Sequence, residues 1–66
     1  MTKTNKLKAK MTYLNLTIRD IAESLGISYY QTHKKINNRV FFTQRELEIL
    51  KKLLRLTDTE FVDMFF

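Results

Sequence analysis

Four times along this chain a hydroxyl side chain is followed, three positions later, by an acid or an amide: Thr17 and Asp20, Ser28 and Gln31, Thr43 and Glu46, Thr57 and Glu60. At a helix start the hydroxyl accepts from the backbone N–H three residues on, and the later side chain reaches back to the first residue's own N–H. With no proline and one glycine among 66 residues, little else punctuates the chain, so these pairs predict four helix starts. Asp20 is the weaker form of the returning group. Three of the starts also carry an apolar residue before the cap and another at the fourth helical position: Leu16 with Ile21, Phe42 with Leu47, and Leu56 with Phe61. At Ser28 the corresponding pair, Ile27 and Thr32, is incomplete.

Ahead of the first cap, Leu7, Met11 and Leu14 recur at helical spacing and predict a helix from about Lys6 to Asn15. The second helix is expected from Ile18 to Leu25, stopped by Gly26, which takes a left-handed backbone without penalty. The third starts at Tyr29 and ends near Asn37 or Asn38, residues that tolerate a left-handed exit. The fourth, Gln44 to Arg55, carries Leu47, Leu50, Leu53 and Leu54 on one stripe, widened by Ile49 and Leu56. The fifth runs from Asp58 to about Phe65. The expectation is an all-α, compact five-helix domain over residues 1–66, with residues 1–5 as a flexible basic tail.

A chain this short has a modest core. Without cysteine it has no disulfide, and its single histidine without thiolate partners makes no structural zinc site, so neither metal nor cofactor is expected. The missing disulfides suit a reducing cytosol. No stretch approaches the roughly 18 apolar residues of a membrane span, and the basic start lacks a signal peptide's apolar run, which predicts a cytoplasmic, unprocessed protein with no membrane partner.

The net charge of +5 is unevenly placed. In residues 1–42, eight Lys or Arg stand against Asp20 and Glu23, a balance of +6; in residues 43–66, four stand against Glu46, Glu48, Asp58, Glu60 and Asp63, a balance of −1. Such an asymmetry suits a polyanion held by one face, and equally a solvated basic tail.

The turn Gly26-Ile27-Ser28 is too tight for the helices on either side to pack antiparallel, so they are expected to cross steeply as a helix-turn-helix, helices two and three. Ala22 would allow close approach, with Ile21, Leu25, Ile27 and Ile36 beneath the pair. An ordinary helical hairpin is the competing reading. The run Ile21-Ala22-Glu23-Ser24-Leu25-Gly26-Ile27-Ser28 resembles the core motif of the Cro and repressor-type helix-turn-helix proteins of bacteriophages and bacteria. Lys35-Ile36-Asn37-Asn38, then Phe42-Thr43-Gln44-Arg45-Glu46-Leu47 and the closing Phe65-Phe66, are similar to a group of short phage Cro-like regulators. The resemblance spans about residues 14–66. It implies a lambda-repressor-like domain whose third helix enters the DNA major groove, usually as a homodimer on a near-palindromic operator, in the bacterial host cytoplasm. Two positions depart from the pattern. Thr32 stands where the family generally has a branched aliphatic. Ile18 stands where a phosphate-contacting glutamine is common, so that contact is either absent or made by Arg19.

On the face of the third helix opposite Ile36, Ser28, Tyr29, Tyr30, His33, Lys34 and Asn37 are the expected base contacts: lysine donates to guanine edges and asparagine binds adenine bidentately. Tyr30 is alternatively half buried, and Asn37 alternatively a helix cap. Thr17, Arg19, Gln31, Lys35, Asn38 and Arg39 are the expected phosphate contacts, helped by the N–H groups that open helices two and three. Lys6, Lys8 and Lys10 are expected to add weak phosphate contacts, and Lys3 to serve solubility.

Val40, Phe41, Phe61, Met64, Phe65 and Phe66 exceed what a short closing helix can bury alone, and predict a dimer or partner surface. The same surplus supports a second reading, an antirepressor or protein-interaction module that binds another phage regulator. Enzymatic activity is not expected, because the carboxylates sit at helix starts where capping accounts for them and no serine has a base beside it.

Overall fold

Each of the four hydroxyls opens a helix. The computed structural model describes residues 1–66 and contains five α-helices and no strand: α1 Thr4–Tyr13, α2 Ile18–Leu25, α3 Tyr29–Ile36, α4 Gln44–Leu53 and α5 Asp58–Phe65. Thr17, Thr43 and Thr57 form complete reciprocal caps with Asp20, Glu46 and Glu60. Ser28 accepts from the Gln31 N–H at 3.1 Å, but the Gln31 side chain makes no return bond and stays exposed.

The exits are as uniform as the entries. Asn15, Gly26, Asn38 and Arg55 all have left-handed backbones, with φ of 59°, 71°, 64° and 54°. After each, the next N–H reaches back five residues: Leu16 to the Met11 carbonyl, Ile27 to Ala22, Arg39 to Lys34 and Leu56 to Lys51, at 2.8 to 3.1 Å. This motif satisfies terminal carbonyls that would otherwise go unpaired and reverses the chain within two residues. It ends α1 at Tyr13 and α4 at Leu53, each two residues before the end expected from apolar spacing, because Asn15 and Arg55 turn out of the helix.

Eleven apolar side chains drawn from every helix and two connections form one core: Leu7, Met11, Ile21, Leu25, Ile36, Phe42, Leu50, Leu54, Leu56, Met64 and Phe65. Helix α2 packs on α3 and α4, with buried Ala22 on its inner face, and α1 packs on α5. Thr32, in place of an aliphatic, is fully buried and donates its hydroxyl to the Ser28 carbonyl at 2.9 Å, so its polarity is satisfied within its own helix.

Residues 1–5 are not a free tail. Thr2 is buried, the Lys3 N–H donates to the Met64 carbonyl at 2.7 Å, and α1 already begins at Thr4. Lys3 and Lys6 both pair with Asp63, and Lys10 lies 3.7 Å from Glu60. No helix is long and apolar enough to cross a membrane.

Candidate nucleic-acid interface

Helix α3 divides its eight residues cleanly. Thr32, Lys35 and Ile36 face inward and are buried, while Tyr29, Tyr30 and His33 are exposed, with Lys34 and Asn37 half-buried beside them. Tyr30 is 67% exposed, which removes the alternative that it belongs to the core. The outer face is organised into two pairs at the i, i+4 spacing. The rings of Tyr29 and His33 stack with centroids 6.4 Å apart, and the Lys34 ammonium lies 4.9 Å from the centroid of the Tyr30 ring. The cation–π contact of Lys34 with Tyr30 is of a kind that contributes about 0.5 to 1 kcal/mol at exposed sites. Asn37 donates its amide to the His33 carbonyl at 2.9 Å, so the capping alternative holds for one of its N–H groups while its side-chain oxygen makes no bond within the chain.

Of the residues expected at phosphates, Arg19, Gln31 and Arg39 are exposed. Thr17 has its hydroxyl committed to Asp20 in both directions, accepting from the Asp20 N–H and donating to the carboxylate. The Thr17 N–H and hydroxyl together hold the Asp20 carboxyl below its ordinary range. Two expectations are corrected. Lys35 is 9% exposed, and its ammonium donates to both oxygens of the buried Glu46 carboxylate, at 2.6 and 2.7 Å. It has no access to a phosphate. Asn38 spends its amide inside the chain, accepting from the Thr2 N–H at 3.1 Å and donating to the Thr2 carbonyl at 2.6 Å.

Glu46 joins two elements. While both its oxygens hold Lys35 of α3, one also accepts from the Thr43 N–H at 2.8 Å and so completes the cap of α4. Burial pushes its carboxyl upward, but the Lys35 hydrogen bonds, the Thr43 N–H and the lysine charge together hold it below the ordinary value of 4.5.

The charge asymmetry of the sequence is rearranged in space. Lys3 and Lys6 share Asp63 of α5 and Lys10 lies beside Glu60, which offsets part of the charge of the basic first part, and Lys51 pairs with Asp58. Arg19 on α2, Lys34 on α3, Arg39 in the following connection and Arg45 in the first turn of α4 have no carboxylate partner, as is also true of Lys8, Lys52 and Arg55. Arg45 carries no signal in the sequence that would single it out. It is exposed in the first turn of α4, next in sequence to Glu46, the residue that binds α3.

The expected partner surface also changes. Met64 and Phe65 are 5% and 3% exposed and belong to the core, Phe65 meeting Phe42 edge to face at 6.0 Å. Phe61 is half-buried against Phe65 and Phe66, while Val40, Phe41 and Phe66 remain exposed. Phe41 and Phe66 flank an apolar crevice of about 170 Å³, lined also by Phe42, Leu47 and Phe65. No three His, Asp or Glu side chains converge as metal ligands would.

Comparison with protein-family models, with curated proteins and with solved structures found no match to this chain. The functional reading therefore stands on the geometry of the surface itself.

Proposed function

We propose that the protein is a sequence-specific double-stranded DNA-binding regulator, a Cro-like repressor whose α2 and α3 act as a helix-turn-helix with α3 in the major groove. The observation that carries this reading is the outer face of α3. A short helix pinned by its inner side presents Tyr29, Tyr30, His33, Lys34 and Asn37 outward, a set combining base-edge hydrogen-bonding groups with a cation. Arg19, Arg39 and Arg45 lie on α2, after α3 and at the start of α4, free of internal partners, and are the phosphate anchors in this reading. Ser28 and Gln31, at the opening of α3, remain exposed for base and phosphate contact respectively.

Such a regulator uses two copies. One copy carries one α3 and measures 28 Å along its longest axis, whereas successive major-groove half-sites lie about 34 Å apart. The test is selection from a pool of random duplexes at two salt concentrations, followed by sequencing. A short enriched palindrome with salt-sensitive affinity is the expected outcome. Retention without enrichment, or no retention, would overturn the reading.

The second reading, a module that binds another regulator, is favoured by one observation: Phe41 and Phe66, each 71% exposed, stand at the mouth of an apolar crevice. A chain that retains no duplex but captures a protein through this face, with Phe41→Ser abolishing capture, would bear it out.

A further inference from the structure

The last turn of α3 is held from outside the helix by residues of the N-terminal segment, Thr2 and Thr4. Four carbonyls end that helix, and all have donors. The Asn37, Arg39 and Asn38 N–H groups take those of His33, Lys34 and Lys35, and the Thr4 hydroxyl donates to that of Ile36 at 2.7 Å. Asn38, in its left-handed conformation, then grips the backbone of Thr2 in both directions and donates to the Thr4 hydroxyl at 3.2 Å. The segment Thr2–Lys3 is tied in turn to α5 by the Lys3 N–H, which donates to the Met64 carbonyl. The end of α3 that carries Lys34 and Asn37 is thus referenced to α1 and α5, which lie outside the α2–α3 pair.

We propose that Asn38 is a positioning residue for the DNA-reading face, acting through Thr2 and Thr4 to set where Lys34 and Asn37 stand, and that it touches no phosphate. This rests on the DNA-binding reading above. Recognition of base edges requires side chains held within about 0.5 Å. At the last turn of α3 the buried Ile36 and the Lys35–Glu46 pair fix the inner side, and Asn38 with Thr2 and Thr4 ties down the helix end itself.

Asn38→Gly isolates the role, because glycine keeps the left-handed backbone and deletes only the amide. Thr4→Val is the independent second variant: it preserves shape, removes the hydroxyl that joins Ile36 and Asn38, and changes no group that faces α3's outer surface. Both full-length variants are compared with the unmodified protein on the duplex enriched from the random pool and on an unselected duplex of equal length, at a temperature where circular dichroism shows all three folded. Amide hydrogen exchange of residues 34–38 is followed without DNA.

Asn38→Gly loses three hydrogen bonds and Thr4→Val two. The expected result is faster exchange in that turn and a roughly tenfold fall in affinity for the selected duplex, with the unselected duplex bound as before. Equal loss on both duplexes in Asn38→Gly, with Thr4→Val unaffected, would make Asn38 a phosphate contact and overturn the proposal. Unchanged discrimination in both variants, or unchanged exchange, would reduce the contacts to simple stabilisation and overturn it equally. If the unmodified protein enriches no duplex, the DNA-binding reading itself fails, and that outcome is visible before any variant is made.

Discussion

Four residues turn the chain out of a helix through left-handed backbones, and they differ in what that conformation costs them. Glycine adopts it freely, and asparagine is among the few others that tolerate it. Arg55 has neither advantage, and its side chain is exposed without a carboxylate partner. Arg55→Gly is therefore expected to stabilise the protein by about 0.5 to 1 kcal/mol, the relieved strain offsetting the added chain entropy. Thermal unfolding should show a rise of several degrees, since about 1 kcal/mol moves a domain of this size by 4 to 8 °C. Gly26→Ala is the converse. A Cβ there would meet nothing within 4 Å, so any loss reports the backbone alone, and a drop of about 1 kcal/mol is expected with Gly26→Asn intermediate. Equal stability of all three would mean that the left-handed exit is not strained. At the same scale the proposed function separates two kinds of residue. His33→Ala should flatten discrimination between selected and random duplexes. Arg39→Ala should weaken both and lower the salt slope by about 1. A salt slope unchanged in Arg39→Ala would remove that residue from the anchors.

Between elements, the ion pair of Lys35 and Glu46 decides how α3 meets α4. The seven residues between the two helices have no regular structure, and hydrophobic packing alone does not fix direction. A buried pair does, because only one arrangement satisfies both charges. Removing one partner strands the other: Lys35→Met is expected to cost about 3 kcal/mol, seen as a lower urea midpoint. Combined with Glu46→Gln, the losses should fall short of additive by about 1 kcal/mol or more. Additive losses would show that the two side chains do not depend on each other. Much of the element scale could be read in advance, since the starts of α2 to α5 follow from the spacing of a hydroxyl and an acid or amide and the end of α2 from Gly26. The ends of α1 and α4 could not, because leucines continue past them and the exit at Arg55 has no residue-type signal. Lys35 was misplaced for a different reason. Its partner lies eleven positions away, and a lysine in a basic helix looks solvated until the helix that covers it is known.

For the molecule as a whole, charge sets the response to acid. The hydrogen bonds from Lys6 and Lys3 hold Asp63 below its ordinary value, and Lys51 does the same for Asp58. At Glu60 the lead comes from the Thr57 N–H and hydroxyl, followed by the Lys10 charge. With Glu46 and Asp20 shifted the same way, the folded protein binds fewer protons than the unfolded chain as these groups titrate. Their stabilisation is complete above the ordinary values of 3.8 and 4.5 and is lost as the pH falls through the lowered ones. Stability should therefore be level near neutrality and decline from about pH 4.5 downward. Glu46→Gln should flatten part of that decline, and an identical acid limb in the variant would remove Glu46 as a contributor. The same pairs tie Lys6 and Lys10 of α1 to carboxylates of α5 and leave Lys8 as that helix's unpaired lysine, so the cations available to a polyanion are the unpaired ones.

The number of helices, where four of them begin and which face of α3 is polar were written in the order of residues, because caps and helical periodicity act over three or four positions. The identity of the free cations, the anchoring of Thr2 and Thr4 beneath Asn38, and the burial of Met64 and Phe65 depended on contacts between distant parts of the chain. Hydrogen bonds and ion pairs of that kind form only where packing brings their partners within about 3 Å, and no local pattern encodes which partners those are.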